Sequence, residues 1–129
     1  MVIELSPERV RQFRAQGYPM GEEMLRLNRE YKLPRLDDFR SVPGGKSYEE
    51  VREGFFELVR SLDSGITEII CHPSVETEGL KKITNSWQRR GWEARLFADP
   101  KVQTFFEKEG VLFTDLIEMM RRFEARVSD

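Results

Sequence analysis

The apolar residues of this 129-residue chain form two kinds of pattern, short continuous runs and stripes at helical spacing. The clearest run covers residues 66 to 72 and is apolar on both faces near its middle. Such a run predicts a strand of a buried parallel sheet. The clearest stripe follows Ser47 and Glu50, which form a capping box that satisfies exposed backbone N–H groups. It predicts a helix over residues 48 to 62.

Strands and helices alternate along the rest of the chain. Further strands are predicted at residues 2 to 5, 36 to 42 and 111 to 113. Helices are predicted at residues 7 to 16, 20 to 31, 85 to 97, 100 to 109 and from 116 onward, with loop or short helix at 73 to 84. Strands separated by helices indicate βα units on a parallel sheet. We therefore expect an α/β fold of about four short parallel strands covered by helices, as a single domain over residues 1 to 129.

The composition narrows the class of protein. Charged residues make up 34% and hydrophobic residues 39%, with a formal net charge of −2, so a broad basic field for nucleic acid or anionic membranes is not expected. No apolar run reaches the roughly 20 residues of a membrane helix, and the first residues lack a signal-peptide pattern. One cysteine suits a reducing compartment. We expect a cytoplasmic protein without nucleic-acid or membrane partners.

The single histidine, His72, closes the apolar run at residues 66 to 72. Ligands and catalytic groups collect at the carboxyl ends of parallel strands, so His72 is a candidate general acid or base. A histidine satisfied by local hydrogen bonds is the other interpretation. Cys71 points to the opposite face and is predicted to pack. Glu68 shares the His72 face but lies about 13 Å away, too far for a dyad, and is expected to close the opposite end of the sheet, paired with an arginine.

Residues after this strand offer candidate ligand contacts. Glu76 follows on a loop and either approaches a ligand or is simply solvated. Trp87 and Arg90 could form a sugar-facing wall, although Trp87 also suits a core position. Arg90 and Glu93 are three residues apart and are expected to pair on one helix face. With one histidine, the chain alone cannot supply a His-rich zinc site, and no metal ligand is predicted.

The order of these motifs resembles the C-terminal half of the YdjC-like carbohydrate deacetylases, which include chito-oligosaccharide deacetylases. The similarity spans roughly residues 47 to 120. The matching segments occur in the family's order: Gly65 to Pro73, Glu76 to Glu78, Leu80 to Thr84, Trp87 with Arg90 and Glu93, Asp99 to Val102, and Gly110 to Phe113.

The resemblance implies a (β/α) barrel-like fold and hydrolysis of N-acetyl groups on amino sugars. In the family, a divalent metal, Mg or Zn, held by an Asp and two His activates water. By resemblance, His72 is the general acid for the departing amine, and Arg90, Trp87 and Glu76 are substrate-binding. The family's metal ligands belong to an N-terminal half that this sequence does not show. We therefore expect a truncated or split homologue that is inactive alone.

Four short strands cannot close a barrel, because two sheet edges stay open. We therefore expect self-association, or docking on a missing N-terminal half, with an N-acetylated sugar as ligand. Two other interpretations remain open: a non-catalytic α/β module that binds a small polar ligand or a partner at the His72 end, and a structural fragment without a present function.

Overall fold

The computed structural model describes residues 2 to 127 of the chain. The strands of this part of the sequence are short and lie between residues 2 and 70, and four helices follow the last of them. In chain order the elements are β1 Val2–Ile3, α1 Pro7–Ala15, α2 Glu22–Glu30, β2 Arg35–Leu36, β3 Asp38–Ser41, α3 Tyr48–Arg60, β4 Thr67–Ile70, α4 Glu78–Ile83, α5 Trp87–Ala98, α6 Pro100–Glu109 and α7 Leu116–Val127.

The described strands form two separate pairs. β1 and β2 are parallel, with Ile3 opposite Leu36. β3 pairs with β4, where Asp38 N donates to Ile66 O and Val42 N donates to Ile70 O. Because donors and acceptors advance together by four residues, this pair is also parallel. The α/β class is confirmed. The barrel-like arrangement is not confirmed, because the strands form two pairs rather than one sheet.

Two predicted strands differ in the structure. The strand expected at residues 36 to 42 is split at Asp37, whose carboxylate accepts a hydrogen bond from Ile66 N at 2.8 Å. A strand at residues 111 to 113 was a wrong prediction. Val111 N instead donates to Phe106 O, which closes the end of α6 after the left-handed Gly110. Leu112 and Phe113 are then exposed rather than paired.

The strand predicted at residues 66 to 72 is shorter than expected and less buried. β4 covers residues 67 to 70, Glu68 is exposed and its neighbours are half-buried. The physical reason is that β4 has β3 as its single sheet neighbour among the described strands, so it lacks the cover of a central strand.

The helix starts follow the predicted capping chemistry. Ser47 Oγ accepts from Glu50 N at 3.2 Å at the start of α3, and the Glu50 carboxylate accepts from Lys46 N at 2.8 Å rather than from Ser47 N. Asp99 Oδ1 accepts from Lys101 N at 2.9 Å at the start of α6. None of the helices between residues 2 and 127 has the length and apolar content needed to cross a bilayer.

The chain divides into two compact units, and the expected single domain stays a prediction. The first unit comprises residues 2 to 39, 65 to 67 and 114 to 127, and the second comprises residues 40 to 64 and 68 to 113. In the first unit, the buried Asn28 of α2 donates to Ile3 O at 3.1 Å, which attaches α2 to the β1–β2 pair. Arg9 of α1 pairs with Asp38 at 2.8 Å.

The second unit holds the larger apolar core. It is built where α3, α5 and α6 pack against one another. The buried members are Val42, Tyr48, Val51, Phe55, Val59, Leu96, Val102, Phe105 and Phe106. Phe55 lies at the centre, 1% exposed, with its ring edge-to-face against Phe97 and Phe106 at 5.9 and 5.8 Å. This core fixes the position of α5, which carries most of the candidate site.

A polar contact joins the start of α3 to the start of α6. Tyr48 Oη donates to Asp99 Oδ2 at 2.5 Å. Burial, followed by the hydrogen bond to the Asp99 carboxylate, raises the pKa of Tyr48 to about 12. The same hydrogen bond lowers the pKa of Asp99. Both shifts favour the protonated phenol of Tyr48 next to the ionised carboxylate of Asp99.

Replacing Tyr48 by Phe tests this contact through its pH dependence. The pKa is about 12 in the folded chain and about 10 in the unfolded chain. The stabilisation linked to this group is therefore complete below about pH 10 and is lost as the pH rises towards 12. We expect the wild-type chain to be more stable than Tyr48→Phe at neutral pH, and this difference to shrink above about pH 10, in urea unfolding followed by circular dichroism.

Tyr18→Phe is the matched control, because Tyr18 is 55% exposed. It should follow the wild-type curve across the pH range. A difference between wild type and Tyr48→Phe that stays constant above about pH 10 would contradict the raised pKa.

Candidate functional site

A buried carboxylate from α5 holds the ends of the β3–β4 pair. Glu93 is 1% exposed. Its Oε2 accepts from the backbone N of His72, just beyond β4, and its Oε1 accepts from Arg89 Nε at 2.9 Å. Arg89 Nη2 in turn donates to Val42 O, just beyond β3, at 2.8 Å. Glu93 and Arg89 together therefore join α5 to the carboxyl ends of both strands.

The ion pair of α5 differs from the predicted one. Arg90 was expected to pair with Glu93, but Arg89 does so across four residues. Arg90 is rotated away from the buried carboxylate, and its Nε contacts Ser86 Oγ at 3.3 Å. The reason is that Glu93 and Leu96, three residues apart, share the fully buried face of α5, and Arg89 borders that face.

The loop after His72 lies against the first turns of α5. Ser74 N donates to Arg90 O at 3.1 Å. A Cβ added at Gly91 would lie 2.9 Å from Glu76 Cγ and 3.0 Å from Glu76 Oε1. Glycine at this position therefore allows the Glu76 side chain to approach the helix backbone. These contacts bring Glu76 to the part of α5 that carries Arg90.

Trp87, the first residue of α5, is half-buried and lies near charged groups. Lys81 Nζ lies 4.9 Å from the centre of the indole ring, and the same ammonium pairs with Glu78 at 2.9 Å. Trp92 and Phe97 of the same helix are the residues that pack against the core. Trp87 thus belongs to a polar surface with α4.

His72 presents its side chain to solvent. Its hydrogen bond to Glu93 is made by the backbone N–H, and its imidazole makes none with residues 2 to 127. Cys71 is half-buried and packs against the core, as predicted, and burial followed by the Glu93 carboxylate raises the pKa of its thiol. Glu68 is exposed and, within the described chain, has no arginine partner, so that expectation was wrong.

The sequence-predicted residues therefore meet only in part. Glu76 lies beside Gly91, the residue after Arg90 in α5, and His72 is linked to the same helix through Glu93. Sequence reasoning missed the roles of Glu93 and Arg89. The signal that could have found them is the position of Glu93 on the Leu96 face, where a carboxylate requires partners.

The divalent metal implied by the family resemblance does not fit these residues. Between residues 2 and 127, no group of three or more His, Cys, Asp or Glu side chains is arranged to hold a metal ion. The four predicted site residues supply one imidazole, one guanidinium, one carboxylate and one indole.

Comparisons with known proteins give a likeness of fold. No protein family model matches the chain, and no curated protein matches it. A crystal structure of a "putative cellobiose-phosphate cleavage protein" from Enterococcus faecalis V583 matches with a TM-score of 0.59 and 18% identity. The match covers 86% of this chain and 45% of that protein, so this chain spans less than half of its length. At this identity the likeness shows the fold alone.

Glu93→Gln tests the link between α5 and the strand ends. A glutamine has one acceptor oxygen where Glu93 has two. Either His72 N or Arg89 Nε therefore loses its acceptor and faces the amide NH₂, which is itself a donor. We expect the free energy of unfolding to fall by about 1–3 kcal/mol, the cost of an unsatisfied buried group. Urea denaturation monitored by tryptophan fluorescence measures this.

The matched control is Glu57→Gln, the same chemical change at an exposed position of α3. It should alter stability by less than about 0.5 kcal/mol. Equal stability of the Glu93 and Glu57 variants would rule out a structural role for the buried carboxylate.

Proposed function

We propose that the second unit carries part of a carbohydrate site for N-acetylated amino sugars, at the carboxyl end of β4. The observation that carries this proposal is the exposed imidazole of His72 on a backbone anchored by the buried Glu93. Such an anchor keeps a titratable group in place while leaving its ring free to reach a ligand. The motif order that resembles the YdjC-like deacetylases and the likeness of fold to a protein named for cellobiose-phosphate cleavage support a sugar ligand.

In this proposal His72 is the general acid. Hydrolysis of an N-acetyl group requires a proton for the departing amine, and imidazole is suited to that transfer near neutral pH. His72 lies two residues beyond β4, at the end of a parallel strand where substrates collect. Its exposed ring can reach a sugar nitrogen without displacing core residues.

Trp87, Arg90 and Glu76 form the proposed sugar-binding surface. The indole of Trp87 offers an apolar face and a polar edge beside Lys81. The Nε of Arg90 donates to Ser86 Oγ. The terminal amino groups of Arg90 make no hydrogen bond with the described residues. They can therefore donate to sugar hydroxyl or acetyl oxygens. The exposed carboxylate of Glu76 can accept from hydroxyl groups.

We further propose that this chain alone is not an active deacetylase. Water must be activated for the reaction, and residues 2 to 127 hold no ligand set for the metal that the family uses. The missing groups would come from a second copy or from a further α/β portion. The open edges of the β3–β4 pair suit such a partner, as does the exposed apolar pair Leu112 and Phe113 of the second unit.

A non-catalytic sugar-binding module is the second candidate function. The absence of a metal-ligand group among the described residues favours it, because binding needs only the surface around Trp87 and Arg90. The two candidates differ in the role of His72. A general acid affects turnover once the missing groups are supplied, whereas a binding residue affects affinity.

Sugar binding is tested by nuclear magnetic resonance titration of the labelled chain with an N-acetylglucosamine trimer. We expect saturable shifts at His72, Arg90 and the Trp87 indole. Trp87→Ala should weaken binding about tenfold, or ~1.4 kcal/mol, through loss of the aromatic surface. Tyr18→Ala, which removes an exposed aromatic side chain of the first unit, should bind as the wild type does. Shifts that do not saturate, or unchanged binding by Trp87→Ala, would contradict the site.

Catalysis is tested separately by measuring acetate. The pure chain, supplied with Mg²⁺ or Zn²⁺, should release no more acetate from N-acetylated sugars than His72→Ala does. Metal-stimulated release by the wild type that is lost in His72→Ala would show that the chain is active by itself and would overturn this part of the proposal.

A further inference from the structure

A solvent-open surface cavity of about 400 Å³ lies where α5 ends and α6 begins, in the second unit. Its lining residues are Arg52, Arg95, Ala98, Asp99, Pro100 and Lys101. None of these residues belongs to the proposed sugar-binding surface, which uses the beginning of α5. The inference drawn from this cavity is therefore independent of the proposed function.

Positive charge exceeds negative charge on the cavity wall. Three cationic side chains and one carboxylate line it. The carboxylate, Asp99, is fully engaged by the Tyr48 hydroxyl, by Lys101 N and by Arg52 at 3.7 Å. Arg95 and Lys101 form no ion pair with a carboxylate of residues 2 to 127. The cavity thus offers two cations that are not in an ion pair, and the Asp99 carboxylate on the same wall offsets part of their charge.

The Arg95 guanidinium is held in place before any ligand arrives. Its Cζ lies 3.8 Å from the centre of the Tyr48 ring. Tyr48 is itself 3% exposed and fixed by its hydrogen bond to Asp99. Stacking on an aromatic ring orients the planar fork of an arginine and limits the freedom lost on binding.

The backbone at the start of α6 is not the binding element. Lys101 N already donates to Asp99 Oδ1 at 2.9 Å, and Val102 N donates to Asp99 O at 3.0 Å. The donors available to a ligand are therefore side chains, namely the Arg95 fork and the Lys101 ammonium, with Arg52 nearby. An arginine fork next to a lysine matches the oxygens of a phosphate dianion.

We propose that this cavity binds a phosphate group, either free or as the monoester of a small polar molecule. Arg95 contacts two phosphate oxygens and Lys101 contacts the third, while Arg52 stays paired with Glu53 and Asp99. Because these cations are solvent-accessible, binding weakens as ionic strength rises.

The test is a titration of the labelled chain with inorganic phosphate at low salt, followed by nuclear magnetic resonance of the Arg95 side chain and the Lys101 amide. We expect saturable shifts at these groups. Lys101→Gln should weaken binding about threefold or more, and Arg95→Gln should abolish saturation, because charge-assisted hydrogen bonds are lost. Lys101 is exposed, so its replacement leaves the fold intact even where Arg95→Gln affects stability.

Lys108→Gln is the matched control, since it removes one exposed lysine from the far end of α6. It should bind phosphate as the wild type does. Equal weakening in the Lys101 and Lys108 variants, or shifts that spread over all basic residues without saturation, would overturn the proposal. A second arm uses a hexose 6-phosphate. Tighter binding than that of inorganic phosphate identifies a phosphate monoester as the ligand, and equal binding identifies the free anion.

Discussion

The carboxylate of Glu93 lies fully buried in the second unit and accepts hydrogen bonds from the His72 backbone and from Arg89. A buried carboxylate is strongly unfavourable unless it is paired and hydrogen-bonded. The chain meets this requirement by bringing the ends of β3 and β4 to one turn of α5. The ends of β3 and β4 have little sheet cover of their own, and this contact is a polar constraint that holds them against α5.

The candidate site follows from this constraint. Because His72 is anchored through its backbone, its imidazole is left outside, and the loop that follows continues over α5 to Ser74 and Glu76. The same helix begins with Trp87 and continues with Arg90. One helix thus carries the buried anchor on one face and the proposed sugar contacts on another. Its far end, stacked through Arg95 on Tyr48, carries the proposed phosphate site.

The helices of this fold could be predicted from sequence because their signals are local. Ser47, Asp99 and Gly110 each mark a helix end through contacts within a few residues. The strands were less predictable, because pairing depends on distant residues. The run at residues 111 to 113 has the composition of a strand, but the structure uses Val111 N to close α6.

Among the candidate site residues, His72 and its strand-end position could be read from the sequence, whereas its anchor could not. Glu93 lies 21 residues from His72, and the sequence favours Arg90 as its partner because residues three apart share a helix face. Burial of the face of α5 that carries Glu93 selects Arg89, four residues before it, as the partner instead.

The most direct test of this account is hydrogen exchange at the His72 amide in the native state. Burial of its hydrogen bond to Glu93 predicts exchange as slow as that of core amides such as Val51 and Phe55, through opening of the whole second unit. Fast exchange, at the rate of the exposed loop around Val75, would show that the carboxylate does not hold the strand end and would contradict the account.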